Sequence, residues 1–152
     1  MRAVIQRAAN ASIDIDGQLS GKMGRGLVVL FGVEKGDTLK DLDWIVNKCL
    51  EIRVFEDSEG KMNRSLLDIE GELLIVSQFT LYGNMKKGNR PSFNRSAPPD
   101  VAIPIYESFV RKCRERLGKI KVITGKFGAH MDVSLTNDGP VTILIDTNQK
   151  DF

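Results

Sequence analysis

The sequence predicts an α+β fold: a single compact domain of mainly antiparallel sheets forming a β-barrel-like core with two helices. Three observations carry this. Segments of strand character outnumber segments of helical periodicity. They run strands, helix, strands, helix, strands, without the regular alternation that builds a doubly wound parallel sheet. The chain has 152 residues, 41% hydrophobic and 28% charged. That is enough for one sizeable core but marginal for two, so residues 1–152 are expected to form one domain.

Each element follows from local pattern. Ala11–Asp16 alternates apolar and polar residues, and Asp16-Gly17 is a hairpin signal. The glycine-rich run Gly21–Gly26 is expected to be a hairpin connection. It is no phosphate cradle, because a strand follows it where a helix N-terminus is needed. Leu27–Val33 is continuously apolar, as a strand buried on both faces should be. From Thr38, apolar residues at Leu39, Leu42, Ile45, Val46, Cys49 and Leu50 make a helical stripe. Glu72–Phe79 is a second apolar strand with a polar end. A second helix is expected from about Asp100 to Leu117, with Val101, Ile105, Phe109, Val110 and Leu117 inward and Gly118 as its stop. Pro104 conflicts with it, so the helix should start later or kink. Ile120–Thr124, Met131–Thr136 and Val141–Asp146 complete the strands. Asn137-Asp138-Gly139-Pro140 between the last two reads as a tight turn.

Composition excludes several chemistries. The chain has one histidine, His130, and two cysteines, Cys49 and Cys113, in no CxxC spacing. No metal site and no cofactor is therefore expected. A serine–histidine–acid triad would have to run through His130, which suits a surface or capping role better. The cysteines read as reduced core thiols of a cytoplasmic protein. The polar start Met1–Arg7 does not fit a signal peptide, and no stretch approaches a transmembrane helix, so no membrane partner is expected.

The net charge of +2 hides a division. Residues 1–83 carry −3, residues 84–126 carry +8, and residues 127–152 carry −3. The basic block holds Lys86, Lys87, Arg90 and Arg95 in an irregular segment. It continues with Arg111, Lys112, Arg114, Arg116 and Lys119 on or after the second helix. Such a helix is often just a solvated face. The loop contributes too, with no acid from Asn84 to Pro99. Loop and helix together suggest a surface for a phosphate backbone.

Two segments stand out. Ser77-Gln78-Phe79-Thr80-Leu81 ends a buried strand with hydroxyls and main-chain N–H groups, although polar strand ends are ordinary. Asn137-Asp138-Gly139-Pro140-Val141-Thr142 is the other. Together with Val4-Ile5-Gln6-Arg7-Ala8, Gly32-Val33-Glu34-Lys35, Gly60-Lys61-Met62-Asn63 and Arg90-Pro91-Ser92-Phe93, they closely resemble the D-aminoacyl-tRNA deacylase family of bacteria and eukaryotes. The resemblance spans essentially the whole chain. It departs at Tyr82-Gly83-Asn84-Met85 and at Pro104.

The resemblance implies a proofreading hydrolase. It implies a cytoplasmic homodimer acting on the aminoacylated acceptor end of tRNA, with the site at the subunit interface. Ser77, Gln78, Phe79 and Thr80 would be catalytic, and Phe127 would line the pocket. Gly139 and Pro140, in cis, would be the chirality filter reaching into the partner's pocket. Arg7 would support that motif. Lys86, Lys87, Arg90 and Arg95 would contact the tRNA backbone. Hydrolysis of D-aminoacyl-tRNA and glycyl-tRNA, with rejection of L-aminoacyl-tRNA, is expected. The base would be the tRNA's own 2′-hydroxyl, and main-chain N–H groups would hold the oxyanion. Thr80 as a nucleophile and a non-catalytic tRNA-binding module are the alternatives.

Overall fold

The computed structural model describes residues 1–151. Strand β1 (Arg2–Ile15) organises the sheet. Along one edge it pairs antiparallel with the last strand, β8 (Met131–Asp146). Along its other edge it pairs with two strands in turn. Residues 11–15 face β2 (Gln18–Met23), and residues 2–8 face β3 (Gly26–Gly32). The expected hairpin joins β1 to β2, with Asp16 and Gly17 both at positive φ.

The glycine-rich link from β2 to β3 does not reverse the chain as expected. Both strands run antiparallel to β1, so the link only bends, carrying the chain along one edge of β1. Gly26 sits against the backbone of Glu72 with no room for a Cβ. The Gly24 N–H donates to the Glu72 carboxylate.

β6 (Glu72–Ser77) pairs parallel with β3, and β7 (Val122–Thr124) parallel with β6. β7 then approaches β2: a Cβ on Gly21 would meet the Ile123 side chain at 2.5 Å. The six-stranded sheet is thus nearly closed into a barrel. Alternation sorts its residues into two cores. Val28, Leu74 and Val76 point inward with Ile13 and Met23. Leu27, Val29, Phe31, Leu73 and Ile75 point outward under the two helices. A short hairpin of β4 (Phe55–Glu56) and β5 (Met62–Arg64) stands apart.

Helix α1 (Leu42–Glu51) buries Leu42, Ile45, Val46, Cys49 and Leu50, as its stripe predicts. Leu39 does not join it. It lies in a 3₁₀ turn, and 58% of its surface is exposed. Helix α2 (Pro99–Leu117) does not start late, and it runs unbroken through Pro104. Pro99 takes the first helical position, which suits proline. Pro104 faces solvent, so its ring displaces no core side chain. Val101 is exposed rather than inward, and Ala102 and Tyr106 are buried instead. Gly118 ends the helix at φ 97. Both cysteines are free and buried. Among the described residues, no helix is long and apolar enough to cross a membrane.

The largest correction concerns β8. Met131–Thr136 and Val141–Asp146 are not two strands joined by a tight turn. They are one strand, both halves paired with β1 in one direction. Asn137 lies opposite Ala8 and Thr142 opposite Gln6, so the residues between them bulge out of the ladder.

Candidate active site

The parallel pair β3–β6 positions the first part of the site. The Gln78 N–H donates to Phe31 O at 2.8 Å and extends the ladder one step past Ser77. The chain then tightens into a 3₁₀ turn, Phe79–Tyr82. Gly32 lets this turn come close: a Cβ there would lie 2.9 Å from Gln78 O and 3.2 Å from the Tyr82 ring. Phe79 and Thr80 open the turn, so their N–H groups have no acceptor within it. Two contacts fix its shape. Ser96 Oγ donates to Phe79 O at 2.8 Å, and Gln78 Nε2 donates to Thr80 Oγ1 at 2.5 Å. The Phe79 ring is exposed and packs edge-on against Phe93, with centroids 5.0 Å apart.

Beside this turn lies a cavity of about 300 Å³. Ser77, Gln78, Phe79, Ala102, Tyr106 and Phe127 are among its lining residues. Phe127 comes from the turn after β7 and meets the Tyr106 ring edge-on at 5.9 Å. Burial pushes the Tyr106 hydroxyl up to about 12. It donates to Ile75 O at 3.3 Å. Tyr106 is therefore a neutral wall and no base at ordinary pH. Sequence reasoning missed it, although Ala102, Tyr106 and Phe109 keep helical spacing on the inward face. His130 lines the rim, 79% exposed, with Nε2 3.5 Å from the Asp132 carboxylate.

The structure brings Ser77, Gln78, Phe79 and Phe127 to one cavity, with Thr80 tied to it through Gln78. Gly139 and Pro140 are not among the residues lining that cavity. Their peptide bond is cis, and both lie exposed on the β8 bulge. Arg7 reaches this bulge from beneath. Its side chain is nearly fully buried. Nε donates to Asp138 O at 2.9 Å, and Nη1 donates to Val54 O at 2.5 Å. Nε also lies 3.3 Å from the Asp138 carboxylate.

The basic block is divided. Lys86, Lys87 and Arg90 are exposed, with no ion-pair partner among the described residues. Arg95 is engaged by Glu34 at 2.5 Å, which holds its guanidinium above its ordinary value. On α2, Arg111 pairs with Glu115, Lys112 with Asp43, and Arg116 with Glu51. Much of the helix's positive charge is therefore answered within the chain. Linear charge counting could not see the acids of α1 across from it.

A family model described as D-Tyr-tRNA(Tyr) deacylase matches residues 4–146. The D-aminoacyl-tRNA deacylase of Thermosipho africanus is 56% identical over 149 residues, covering 98% of this chain and 99% of the relative. The chain belongs to the D-Tyr-tRNA(Tyr) deacylase family. As a deacylase-family chain it is an enzyme. A solved protein named c-Myc DNA Unwinding Element Binding Protein shares its fold at a TM-score of 0.92 with 42% identity, covering 97% of this chain and 99% of that one. A probable eukaryotic D-amino acid tRNA deacylase superposes at a TM-score of 0.81 over 95% of this chain and 97% of that one. At 22% identity it shows the deacylase fold alone.

Proposed function

We propose that this protein hydrolyses the ester between a D-amino acid, or glycine, and the terminal adenosine of tRNA, and leaves L-aminoacyl-tRNA intact. The carrying observation is the turn after β6. It sets two N–H groups without acceptors beside a partly aromatic cavity whose histidine, His130, lies exposed at the rim. An aminoacyl ester is already activated, so polarising its carbonyl supplies most of what hydrolysis needs. The Phe79 and Thr80 N–H groups are placed to receive the developing oxyanion; losing one such donor costs about 10²–10³ in rate. The 2′-hydroxyl of the terminal ribose serves as the substrate-borne catalyst, and water supplies the attacking oxygen. Phe127 and Tyr106 hold the adenosine.

Selectivity comes from Gly139 and Pro140. In a homodimer, one protomer's bulge enters the partner's cavity and fills the space an L side chain needs. A D side chain points away, and glycine has nothing to exclude. Arg7 keeps the bulge in place, and Lys86, Lys87 and Arg90 meet the tRNA backbone. The working compartment is the cytoplasm, where aminoacyl-tRNA is consumed.

A nucleophilic Thr80 is the weaker reading. Its hydroxyl contacts the Gln78 amide, which cannot take a proton. Time courses with D-tyrosyl-, L-tyrosyl- and glycyl-tRNA on the native protein and on Thr80→Ala separate the two. The expected result is cleavage of the D and glycyl esters, sparing of the L ester, and loss of less than about tenfold in Thr80→Ala, below the cost of a lost oxyanion donor. Equal cleavage of the D and L esters sinks the selectivity proposal. Abolition in Thr80→Ala sinks the main-chain mechanism.

A further inference from the structure

Tyr106 lines two cavities. On one side is the site cavity, bounded along α2 by Ala102 and Tyr106. On the other begins an open groove of about 550 Å³, which runs past Val110, Arg111 and Arg114 to Lys119 and Thr124. Ala102, Tyr106, Val110 and Arg114 follow one another at i, i+4 spacing, so one row of α2 side chains runs from the cavity into the groove, with Arg111 on the groove's outer flank. From Ala102 to Arg114 this face runs about 18 Å at the rise of an α-helix.

The groove has an apolar floor and charged walls. Val110 and the Tyr106 ring are almost fully buried beneath it. Its walls hold Arg111, Arg114 and Lys119 against Glu107 and Glu115. Glu115 is committed to Arg111 at 2.6 Å. Arg114 and Lys119 have no ion-pair partner among the described residues, unlike Arg111, Lys112 and Arg116 on the same helix. Arg114 Nε is moreover buried with no hydrogen-bond acceptor. Lys126 adds a further exposed cation in the turn that carries Phe127.

An ester-bearing adenosine in the cavity is the last nucleotide of a single strand. The preceding nucleotides must leave the cavity along some surface, and that surface should meet their phosphates with unpaired cations and their bases with apolar or aromatic faces. The groove meets both requirements and starts at the cavity wall. We infer that it holds the single-stranded nucleotides preceding the terminal adenosine, with Arg114 and Lys119 on their phosphates. This rests on the deacylase reading above.

The test compares two substrates, D-tyrosyl-tRNA and the D-tyrosyl ester of adenosine, which carries no phosphate. The proteins are native, Lys119→Gln, and Arg114→Gln with Lys119→Gln. In the double variant, KM for the tRNA should rise about tenfold at low salt, with kcat retained. The slope of log KM against log salt should fall by about 1.4, at about 0.7 per single-strand phosphate contact. Turnover of the adenosine ester should stay at the native value. Lys119 is exposed, so Lys119→Gln alone should give about half the change in slope without risk to folding. An unchanged slope, or an equal loss on both substrates, overturns the inference while leaving the deacylase reading standing. A native protein that turns over neither ester overturns that reading, and the groove with it.

Discussion

The turn after β6 and the bulge within β8 carry the proposed chemistry, and they are secured in different ways. After β6 the chain tightens into a turn held by neutral hydrogen bonds, by Phe93 and by the close approach of Gly32. It faces the cavity lined by Tyr106 and Phe127. The β8 bulge is secured by a buried charge, Arg7, through two backbone carbonyls and one carboxylate. Its Gly139 and Pro140 lie exposed. A pocket must fit a ligand and can be assembled from ordinary packing. A selector must hold a rigid shape in the open, where packing cannot hold it, so directional charged bonds take over. If the difference is real, the two regions should fail differently.

The largest effect is expected from Arg7→Met. Val54 O and Asp138 O would each lose a charged donor, and such bonds contribute about 1.5–3 kcal/mol. The Asp138 carboxylate is 36% exposed, so its ion pair adds little. A stability loss of about 3–6 kcal/mol is expected in urea titrations. The ratio of kcat/KM for D-tyrosyl- over L-tyrosyl-tRNA should fall by about tenfold or more. A destabilised variant with an undiminished ratio would make Arg7 a fold residue and nothing else.

The same contrast explains what was legible in the sequence. Strand alternation and helical stripes are local, so β3, β6, α1 and the Asp16-Gly17 hairpin could be read directly. The residues of both segments could also be read as motifs. The bulge could not. Asn-Asp-Gly-Pro has turn chemistry, and only pairing of both flanks with β1 shows that the chain keeps its direction. The Gly24-Arg25 link misled for the same reason. Arg95, Arg111, Lys112 and Arg116 counted as free cations because their acids, apart from Glu115, are distant in sequence. Tyr106 was missed because a helical stripe shows which residues face inward, but not which of them borders a cavity.

A smaller effect separates the regions by pH. The pocket wall rests on α2, whose Tyr106 and Cys113 are kept neutral by burial, each pushed up to about 12. Their ordinary values are 10.0 and 9.0. Both acids therefore ionise more readily in the unfolded chain. Their contribution is complete below about pH 9 and is lost as pH rises toward about 12. The bulge contains no thiol or phenol of this kind. Between pH 8 and 10.5 these two groups should lower the unfolding free energy by about 3 kcal/mol, about 2 from Cys113 and about 1 from Tyr106. Cys113→Ala should reduce the part of the drop that begins near pH 9, which Cys113 shares with the buried thiol of Cys49 on α1. A native protein whose urea midpoint is level across this range would show that α2 does not seal these groups from water.

The smallest effect should come from Ser96→Ala. The Ser96 hydroxyl holds Phe79 O from the irregular segment that follows the turn, at an exposed position where the carbonyl can turn to water instead. A neutral bond of this kind contributes about 0.5–1.5 kcal/mol. Its loss lets the Phe79–Thr80 peptide drift, and the N–H groups proposed to receive the oxyanion drift with it. The rate on D-tyrosyl-tRNA should fall by about three- to tenfold through kcat, as expected for an interaction felt mainly in the transition state. The D-to-L ratio should not change, because nothing in the β8 bulge depends on Ser96. That pairing of outcomes is the reverse of the one expected for Arg7→Met, and it separates a region that accelerates from a region that selects. A Ser96→Ala protein that loses selectivity along with rate would mean the turn and the bulge act as one unit, and the contrast between them would be a matter of geometry alone.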